Sequence, residues 1–356
     1  MFVTANLVRL DMRSSMLSWR RFAASIALGG CAFTDKLPYT PGEFIMTRFT
    51  FLFVIVSLIA AEPISSKDLS GSIEFKGYRR TFLIHLPPDH GASGSYPLVV
   101  VLHGGGGTAR HMKRRFSGFD GFADRNGFIA VYPDGVERQW NDGRTIDASE
   151  AHRSNVDDVG FLSGLVNYVI RRYHGNVKRV YFTGISNGAL MSYRLACEIP
   201  DTIAAIAAVT GNLPENLISA APAVPVPVLI LNGTEDPLVP WEGGPIRVPL
   251  SRGKDRGRVI SAADTVRFWV RANGCTAAPV DEEVPDRDPG DGCRVVRHVY
   301  GGCTRGAEVI LYEMKGGGHT WPGGPHYLPA SIVGRTCRDV DATLIIGEFF
   351  KKHEKK

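Results

Sequence analysis

Short apolar runs alternate with amphipathic segments along most of the chain after residue 62. The run "PLVVVLHG" (97–104) is apolar throughout, which is typical of a central strand covered on both faces. "GFIAVYPDG" (127–135) predicts another strand, and "NVDDVGFLSGLVNYVIRRYHG" (155–175) predicts a helix with acids in its first turn and arginines in its last. Alternation at such short intervals predicts an α/β domain with a mostly parallel sheet flanked by helices.

Other parts of the chain extend this pattern on both sides. Residues 72–87 contain two early strands that could pair as a hairpin. Residues 276–302 are acidic and rich in proline and glycine, and they regain a strand-like run only at 294–300. This composition predicts a surface excursion from a single domain. The remaining predicted elements are strands at 179–184, 203–211, 227–233 and 308–314 and an amphipathic helix at 339–353.

The charge balance argues against a nucleic-acid partner. The 356-residue chain is 44% hydrophobic and 22% charged, with a formal net charge of +5. Residues 1–61 hold six Lys or Arg against three Asp or Glu, which leaves 35 against 33 in the remainder. A nucleic-acid-binding protein normally carries a basic stripe. The basic clusters here, such as 113–115, are short and typical of solvated faces.

The N-terminal region predicts export. "MTRFTFLFVIVSLIAAEP" has a short positive start, an apolar core and two small alanines, as a secretory signal peptide does, and the run is too short for a membrane span. We therefore expect an unstructured leader or gene-model extension at 1–45, a signal peptide at 46–61 and a catalytic domain at 62–356. The mature protein is expected to be secreted or periplasmic, without a stable membrane anchor. Cys31 follows a lipobox-like Leu-Gly-Gly and leaves a lipoprotein anchor as the alternative.

Export would permit disulfide bonds. Five cysteines follow the leader, so at least one stays free or pairs outside the chain. Cys197 lies on a predicted helix and is typical of a small core residue. The other four lie in loop-rich sequence where a disulfide is plausible, and they are Cys275, Cys293, Cys303 and Cys337. Spacing alone leaves their pairing open.

The stretch "VYFTGISNGALMSY" (180–193) contains a candidate nucleophile. β-Branched and aromatic residues stop at Gly184 and helix-forming residues begin at Ala189, which predicts a strand, a turn and a helix. Gly184 and Gly188 remove side chains where a sharp turn would press them against backbone, so Ser186 fits a nucleophile elbow of the form Gly-x-Ser-x-Gly. The alternative is a serine in an ordinary glycine turn.

A serine hydrolase of the α/β-hydrolase fold also needs an acid and then a histidine, each after a later strand. "PVLILNGTEDPLVP" places Asp236 just past an apolar run, with Glu235 as the competing carboxylate and a turn cap as the alternative role of Asp236. Of the ten histidines, His319 and His326 follow the last strand and precede the last helix. His326 lies further down the loop, so His319, within "EMKGGGHTWPGG", is the candidate base. His103 is predicted to be architectural.

The run "LHGGGG" (102–107) predicts backbone donors for an oxyanion. It is a strand end that enters four glycines, where this fold carries its second oxyanion donor. We expect the amides of Asn187 and Gly105 to donate, with Gly106 as the substitute for Gly105. The run has neither the Lys-Ser/Thr of a phosphate loop nor dinucleotide-site spacing, and zinc-like ligand spacing does not occur. No cofactor and no metal are therefore expected.

The motifs "LHGGGG", "VDDVGF", "GISNG", "LNGTEDPLVP" and "GGGHTWPGG" together resemble the secreted polyhydroxybutyrate depolymerase-like esterases. That group is similar to family 1 carbohydrate esterases, which include feruloyl and acetylxylan esterases. The resemblance runs from about Gly71 to the C-terminal helix. It implies an α/β-hydrolase fold, with Ser186, Asp236 and His319 as the catalytic triad.

The resemblance also implies a disulfide, and it has departures. The segments "NGC" and "YGGC" are similar to family segments that imply a Cys275–Cys303 disulfide. Some relatives carry a cysteine after the Trp-Asn segment, whereas none lies between Trp140 and Asp157 here. Relatives that attack solid polyester have a separate substrate-binding domain. No such domain is expected in this chain, so the expected substrate is a soluble ester.

The expected reaction is acyl transfer in two steps, on feruloyl, acetyl or hydroxyalkanoate esters. Trp140, Trp241 and Trp321 are candidates for an aromatic wall that stacks on a phenolic acyl group or a sugar, and each is alternatively a core residue. A serine peptidase of the same fold is the runner-up. A catalytically silent binding protein is the alternative from another class. The oligomeric state stays open.

Overall fold

A computed structural model describes residues 66–91, 94–147, 149–248 and 255–356. The expected leader at 1–45 and signal peptide at 46–61 lie outside the described residues. The strands of the described part are β1 (Lys67–Phe75), β2 (Tyr78–Leu86), β3 (Tyr96–Leu102), β4 (Ile129–Pro133), β5 (Gly175–Ile185), β6 (Ala205–Val209), β7 (Val228–Gly233), β8 (Gly244–Pro245), β9 (Arg258–Val259), β10 (Val280–Val284), β11 (Arg294–Tyr300) and β12 (Val309–Lys315). The helices are α1 (Ala109–His111), α2 (Phe119–Asn126), α3 (Glu150–Arg153), α4 (Asp158–Tyr173), α5 (Asn187–Glu198), α6 (Ala262–Ala272), α7 (Ala330–Val333) and α8 (Ala342–Lys352).

Ten strands form one sheet in the order β1-β2-β4-β3-β5-β6-β7-β12-β11-β10. The central strands from β4 to β12 in this order pair in parallel, and antiparallel pairs extend the sheet at both edges. Parallel neighbours require crossover connections, which is why helices alternate with the central strands along the chain. All central carboxyl ends consequently meet at one edge of the sheet.

The core lies on both faces of the sheet, as the apolar run at 97–104 predicts. Successive side chains of a strand point to opposite faces. Leu98 and Val100 of β3 pack with residues of α4, α5 and α6, whereas Val99 and Val101 pack with residues of α2 and α8. Every residue of β3 is buried. The predicted α/β-hydrolase fold is confirmed, and the predicted early hairpin forms from β1 and β2.

The segment predicted as a surface excursion extends the sheet instead. β10 and β11 pair antiparallel and add an edge to β12. β10 reads "VDEEV" and is exposed along almost its whole length, so it shows no apolar alternation that would predict a strand. Cross-strand pairs accompany it: Arg297 Nη1 lies 2.6 Å from Glu282 Oε2, and His298 Nδ1 lies 2.8 Å from Asp281 Oδ1. Charges on a short edge strand also discourage pairing with other chains.

The disulfide implied by the resemblance is present. Cys275, just after α6, is bonded to Cys303, just after β11. It fastens the antiparallel edge of the sheet to the helix that precedes it. Within the described ranges, no helix combines the length and apolar character needed to cross a membrane.

Candidate active site

Ser186 occupies a sharp turn between β5 and α5. Its backbone has φ 57° and ψ −122°, a strained conformation for a residue with a side chain. A Cβ on Gly188 would lie 2.5 Å from the carbonyl oxygen of Leu102, and one on Gly184 would lie 2.7 Å from that same atom. The turn is therefore open only to glycine on both sides of the serine. It presents Ser186 at the carboxyl edge of the sheet, where the residue lines a cavity.

Asp236 and His319 form a buried pair beside that cavity. His319 Nδ1 lies 2.7 Å from Asp236 Oδ2, and both side chains are only 3% exposed. The other carboxylate oxygen of Asp236 accepts hydrogen bonds from the amides of Leu238 and Val239, each at 2.8 Å. Glu235, the competing carboxylate, is exposed and lies near Arg335. Of the two carboxylates, the structure brings Asp236 to His319.

A second chain segment fixes the histidine loop. The amide of His319 donates to the carbonyl of Val333, and the amide of Gly318 donates to that of Arg335 at 2.8 Å. The hydroxyl of Tyr327 donates to the carbonyl oxygen of His319 at 3.0 Å. His319 lines the same cavity as Ser186. The His319 imidazole is therefore hydrogen-bonded through Nδ1 to the Asp236 carboxylate, and it lies in the wall of the cavity that Ser186 also lines.

The predicted oxyanion donors lie at this end of the cavity. Asn187 is the first residue of α5, so its amide has no acceptor within the helix. Gly105 lines the cavity, and its amide has no acceptor among the described residues. The amide of Gly106 donates to the carbonyl of Arg138 at 2.8 Å, which removes the predicted substitute. Of the three predicted amides, those of Gly105 and Asn187 are free to bind an anionic oxygen within the described part of the chain.

A buried cluster of charged side chains holds the side chain of Asn187 in place, and the sequence interpretation did not predict it. Asp142 is fully buried and accepts from Asn187 Nδ2 at 2.6 Å, from Arg144 Nη2 at 2.7 Å and from the ring of His152 at 3.1 Å. Burial alone would raise the pKa of Asp142, but the Arg144 charge and the His152 hydrogen bond hold that pKa well below its usual range. The one local signal in the sequence is the Asp-Gly-Arg triplet at 142–144.

His103 is architectural, as predicted. Its Nδ1 lies 2.8 Å from the carbonyl oxygen of Gly104, and its Nε2 accepts from the amide of Gly135 at 3.0 Å. Burial lowers the pKa of His103 to about 4. The neutral ring therefore ties the entrance of the glycine run to the loop after β4.

The cavity measures about 900 Å³ and has a mixed wall. Its apolar part includes Leu190, Leu238, Ile246, Phe116 and Ile332. Four arginines also line it, and no Asp or Glu does so within the described part of the chain. These arginines are Arg115, Arg138, Arg144 and Arg256. They come from distant parts of the sequence, so no local motif predicted a positively charged wall.

The three tryptophans proposed for an aromatic wall do not line this cavity. Trp140 is fully buried and donates to the carbonyl of His103 at 2.9 Å, and Trp321 is 1% exposed and donates to Thr343 Oγ1 at 3.1 Å. Trp241 is partly buried and packs against the main core. Burial of a large indole side chain stabilises the fold because it removes apolar surface from water. The alternative core role describes these residues better.

Two clusters of potential metal ligands occur in the described residues, and neither includes a residue that lines the cavity. They are Asp68, His85 and Asp120, and Asp291, Cys293 and Cys337. In the first cluster, Lys113 Nζ lies 2.7 Å from Asp68 and also contacts Asp120. The lysine ammonium group therefore already provides a positive charge next to these carboxylates. In the second, Asp291 accepts from the amides of Cys293 and Arg338. Bonds within the chain therefore already engage the carboxylates of both clusters.

Comparison with known proteins identifies relatives of this chain that are named as esterases. Residues 84–245 match the Dienelactone hydrolase family, a stretch that includes Ser186 and Asp236. The putative esterase NocK of Nocardia uniformis subsp. tsuyamanensis is 31% identical over 308 residues, which cover 85% of this chain and 86% of that relative. Feruloyl esterase B of Piromyces equi is 28% identical over 247 residues, covering 67% of this chain and 42% of that protein.

An acetyl xylan esterase from Aspergillus awamori is 18% identical, with a TM-score of 0.46, over 68% of this chain and 89% of that chain. The part of the predicted resemblance that concerns feruloyl and acetylxylan esterases is confirmed by the relatives' names. The part that concerns polyhydroxybutyrate depolymerases stays a prediction.

Proposed function

The chain belongs to the same esterase family as the putative esterase NocK, and from this premise we propose that it is a serine carboxylesterase acting through an acyl-enzyme on Ser186. His319 is the proposed general base and Asp236 the residue that orients it. The amides of Asn187 and Gly105 are the proposed oxyanion donors. Each proposed role now rests on a position in the fold as well as on a motif.

The first half of the reaction forms the acyl-enzyme. Ser186 Oγ attacks the ester carbonyl while His319 Nε2 takes its proton, because Nδ1 is committed to Asp236. The negative charge that develops on the carbonyl oxygen is stabilised by the Asn187 and Gly105 amides. The N-terminal end of α5 adds a positive partial charge at the same point. His319 then returns the proton to the leaving alcohol.

The second half regenerates the enzyme. A water molecule attacks the acyl carbonyl, and His319 accepts one of its protons. The same two amides stabilise the second tetrahedral intermediate, and collapse returns the proton to Ser186 Oγ and releases the acid. Apart from the ester and this water molecule, the proposed steps use only residues of the chain.

One observation carries the proposal: the buried His319–Asp236 pair, with 2.7 Å between Nδ1 and Oδ2, lies on the cavity into which the strained Ser186 turn opens. A strained positive φ at a serine costs stability and persists when the surroundings enforce it. A merely structural turn would not require such a residue to face a 900 Å³ cavity beside a histidine–carboxylate pair.

The proposed substrates are soluble esters of the feruloyl, acetyl or hydroxyalkanoate type. Feruloyl and acetylxylan esterases are among the named relatives, and the cavity is large enough for a phenolic acyl group. We also propose that the enzyme is exported through the signal peptide expected at 46–61. The Cys275–Cys303 disulfide supports this location, since disulfides persist in oxidising compartments.

The test is steady-state hydrolysis of methyl ferulate, p-nitrophenyl acetate and soluble 3-hydroxybutyrate oligomers, with a peptide panel alongside. Ser186→Ala is compared with Ser192→Ala, which changes a buried serine on α5 whose hydroxyl donates to the carbonyl of Gly188. We expect ester turnover that Ser186→Ala lowers by several orders of magnitude and Ser192→Ala leaves nearly intact. Turnover of peptides alone would indicate a peptidase, and no turnover at all would indicate a binding protein.

A further inference from the structure

Two buried cysteines outside the active site lie side by side. Cys293 directly precedes β11, Cys337 follows α7, and each is 1% exposed. The two sulfur atoms and a carboxylate oxygen of Asp291 all lie within 4.8 Å of one another. Neither thiol forms a disulfide in this structure. The closeness of two thiols that solvent does not reach calls for an explanation.

A carboxylate fixes both backbone segments. Asp291 Oδ1 accepts from the amide of Cys293 at 2.7 Å, and its Oδ2 accepts from the amide of Arg338 at 2.6 Å. The two cysteines are therefore held together by bonds that do not depend on sulfur. A closure of a few ångströms between the sulfur atoms is within reach of side-chain rotation.

We propose that Cys293 and Cys337 form a second disulfide when the chain folds in the presence of a disulfide oxidant. The inference rests on the proposed export to an oxidising compartment, and not on the proposed ester chemistry. Five cysteines follow the expected leader, so two disulfides leave one of them free. Two bridges leave Cys197 as the single free thiol, buried on α5 with its pKa raised to about 12 by that burial.

The reaction is thiol–disulfide exchange. One cysteine thiolate attacks a sulfur of the oxidant, such as glutathione disulfide, and releases one glutathione thiolate. The second cysteine thiolate then attacks the mixed disulfide, forms the Cys293–Cys337 bond and releases the second glutathione. Two protons and two electrons leave the protein, and one disulfide of the oxidant becomes two thiols. The exchange precedes burial, since the folded protein shields both sulfur atoms.

A metal site is a weaker explanation of the same cluster. Structural zinc needs four ligands, and this cluster offers two thiols and one carboxylate within the described part of the chain. Both oxygens of that carboxylate already accept backbone hydrogen bonds. A disulfide needs only the two sulfur atoms.

The bridge would fasten the segment that holds the proposed base. The carbonyl of Cys337 accepts from the amide of Gly323 at 2.8 Å, and four residues earlier the carbonyl of Val333 accepts from the amide of His319. Thr336 Oγ1 lies 2.9 Å from the ring of His326, which lines the cavity. The bond would therefore tie the histidine loop to the antiparallel edge of the sheet.

Peptide mapping tests the proposal directly. The full chain is refolded with reduced and oxidised glutathione, alkylated under denaturing conditions without reduction, and digested with trypsin. Arg294 and Arg338 directly follow the two cysteines, so trypsin separates their peptides unless a disulfide joins them. We expect one linked pair of these peptides, two hydrogens lighter than the sum of the free peptides, and alkyl groups on Cys197 and on Cys31 of the full chain.

The Cys275–Cys303 peptides are the internal positive control. Alkyl groups on both Cys293 and Cys337 in a sample where that control pair is linked would overturn the proposal. A link from either cysteine to Cys197, or bound zinc in native mass spectrometry, would overturn it as well. The mapping needs no ester turnover, so its failure and that of the proposed function are distinguishable.

Variants supply an independent readout. Because one bond needs both sulfur atoms, Cys293→Ala, Cys337→Ala and the double variant should show the same fall in Tm, on the order of 5–10 °C. After full reduction, the difference in Tm between wild type and variants should shrink to the smaller loss caused by the missing buried sulfur atoms. Additive falls, or falls of equal size under reduction, would contradict a shared disulfide.

Discussion

Asn187 Nδ2 lies 2.6 Å from Oδ2 of the buried Asp142, so the residue that follows the proposed nucleophile is tied to a carboxylate. The same side chain accepts from the amide of Trp140 at 2.8 Å and donates to its carbonyl at 3.0 Å. Three hydrogen bonds therefore fix Asn187. The backbone amide of that residue is one of the two proposed oxyanion donors.

Removing this side chain should slow the chemical step. For Asn187→Ala we expect a fall in kcat of about 10–100-fold, with KM changed less than about threefold, because a misplaced donor weakens transition-state binding more than substrate binding. Steady-state kinetics on p-nitrophenyl acetate measure both constants. Ser192→Ala, which loses one buried hydrogen bond on the same helix, is the control for general loosening. A wild-type kcat in Asn187→Ala would contradict the positioning role.

The two candidate carboxylates at the end of β7 give a matched pair of variants. Asp236→Asn should lower kcat by about 10³–10⁴-fold, because the amide no longer stabilises the imidazolium that forms on His319. Glu235→Gln should leave kcat nearly unchanged, since this carboxylate is exposed beside Arg335. Both variants keep the size of the side chain. A larger loss in Glu235→Gln would reverse the assignment.

The chain order of the site was predictable because each part is local. The glycines around Ser186, the acid after a buried run and the glycine-rich histidine loop are short motifs whose strand-end positions can be read from the sequence. The parallel core was predictable as well, because buried central strands such as β3 are apolar at every position.

The features of the fold and of the site that the sequence did not predict depend on contacts between distant segments. Asp142 is fully buried because Arg144, His152 and Asn187 surround it, and the pairing with Asn187 spans 45 residues. β10 is polar along an edge and carries no strand pattern. The presence of a tryptophan in the sequence does not show whether its side chain lines a cavity or packs in the core. The core positions of Trp140 and Trp321 are therefore known only from the folded structure.

The neutral His103 should make the protein sensitive to acid. Its folded-state pKa of about 4 lies below the usual 6.5, so between these values the unfolded chain binds a proton that the folded protein excludes. Stability is therefore full above about pH 6.5 and falls as the pH drops towards 4, by at most about 3 kcal/mol from this group. Urea unfolding at pH 7, 5.5 and 4.5 measures the loss.

His103→Asn should be less stable at pH 7 but should lose less stability on acidification than the wild-type protein. The difference between the two pH profiles isolates this histidine from the other nine. Parallel profiles would show that His103 is not the group responsible.

The arginine-lined cavity should discriminate against cationic esters. Arg115, Arg138 and Arg256 line it without an ion pair among the described residues, whereas Asp142 balances the charge of Arg144. The Arg256 Nε is buried without a hydrogen-bond partner. Acetylcholine and 3,3-dimethylbutyl acetate have the same shape and differ by one positive charge. We expect kcat/KM for the neutral ester to be about fivefold higher or more, because like charges repel within a poorly screened site.

Added salt should reduce the difference in kcat/KM between the neutral and the cationic ester, and Arg256→Gln should reduce it as well. Equal rates for the two esters, or a preference for acetylcholine, would show that the cavity does not carry an effective positive potential.

The most direct test of the proposed mechanism is to trap the acyl-enzyme. A burst of p-nitrophenol from p-nitrophenyl acetate, followed by acid quench and peptide mapping, locates the acetyl group. We predict a burst of about one equivalent, an acetyl group on the peptide that carries Ser186 and on Oγ of that residue, and neither signal in Ser186→Ala. A burst of undiminished size in Ser186→Ala, or an acetyl group that maps to another residue during turnover, would contradict the central claim.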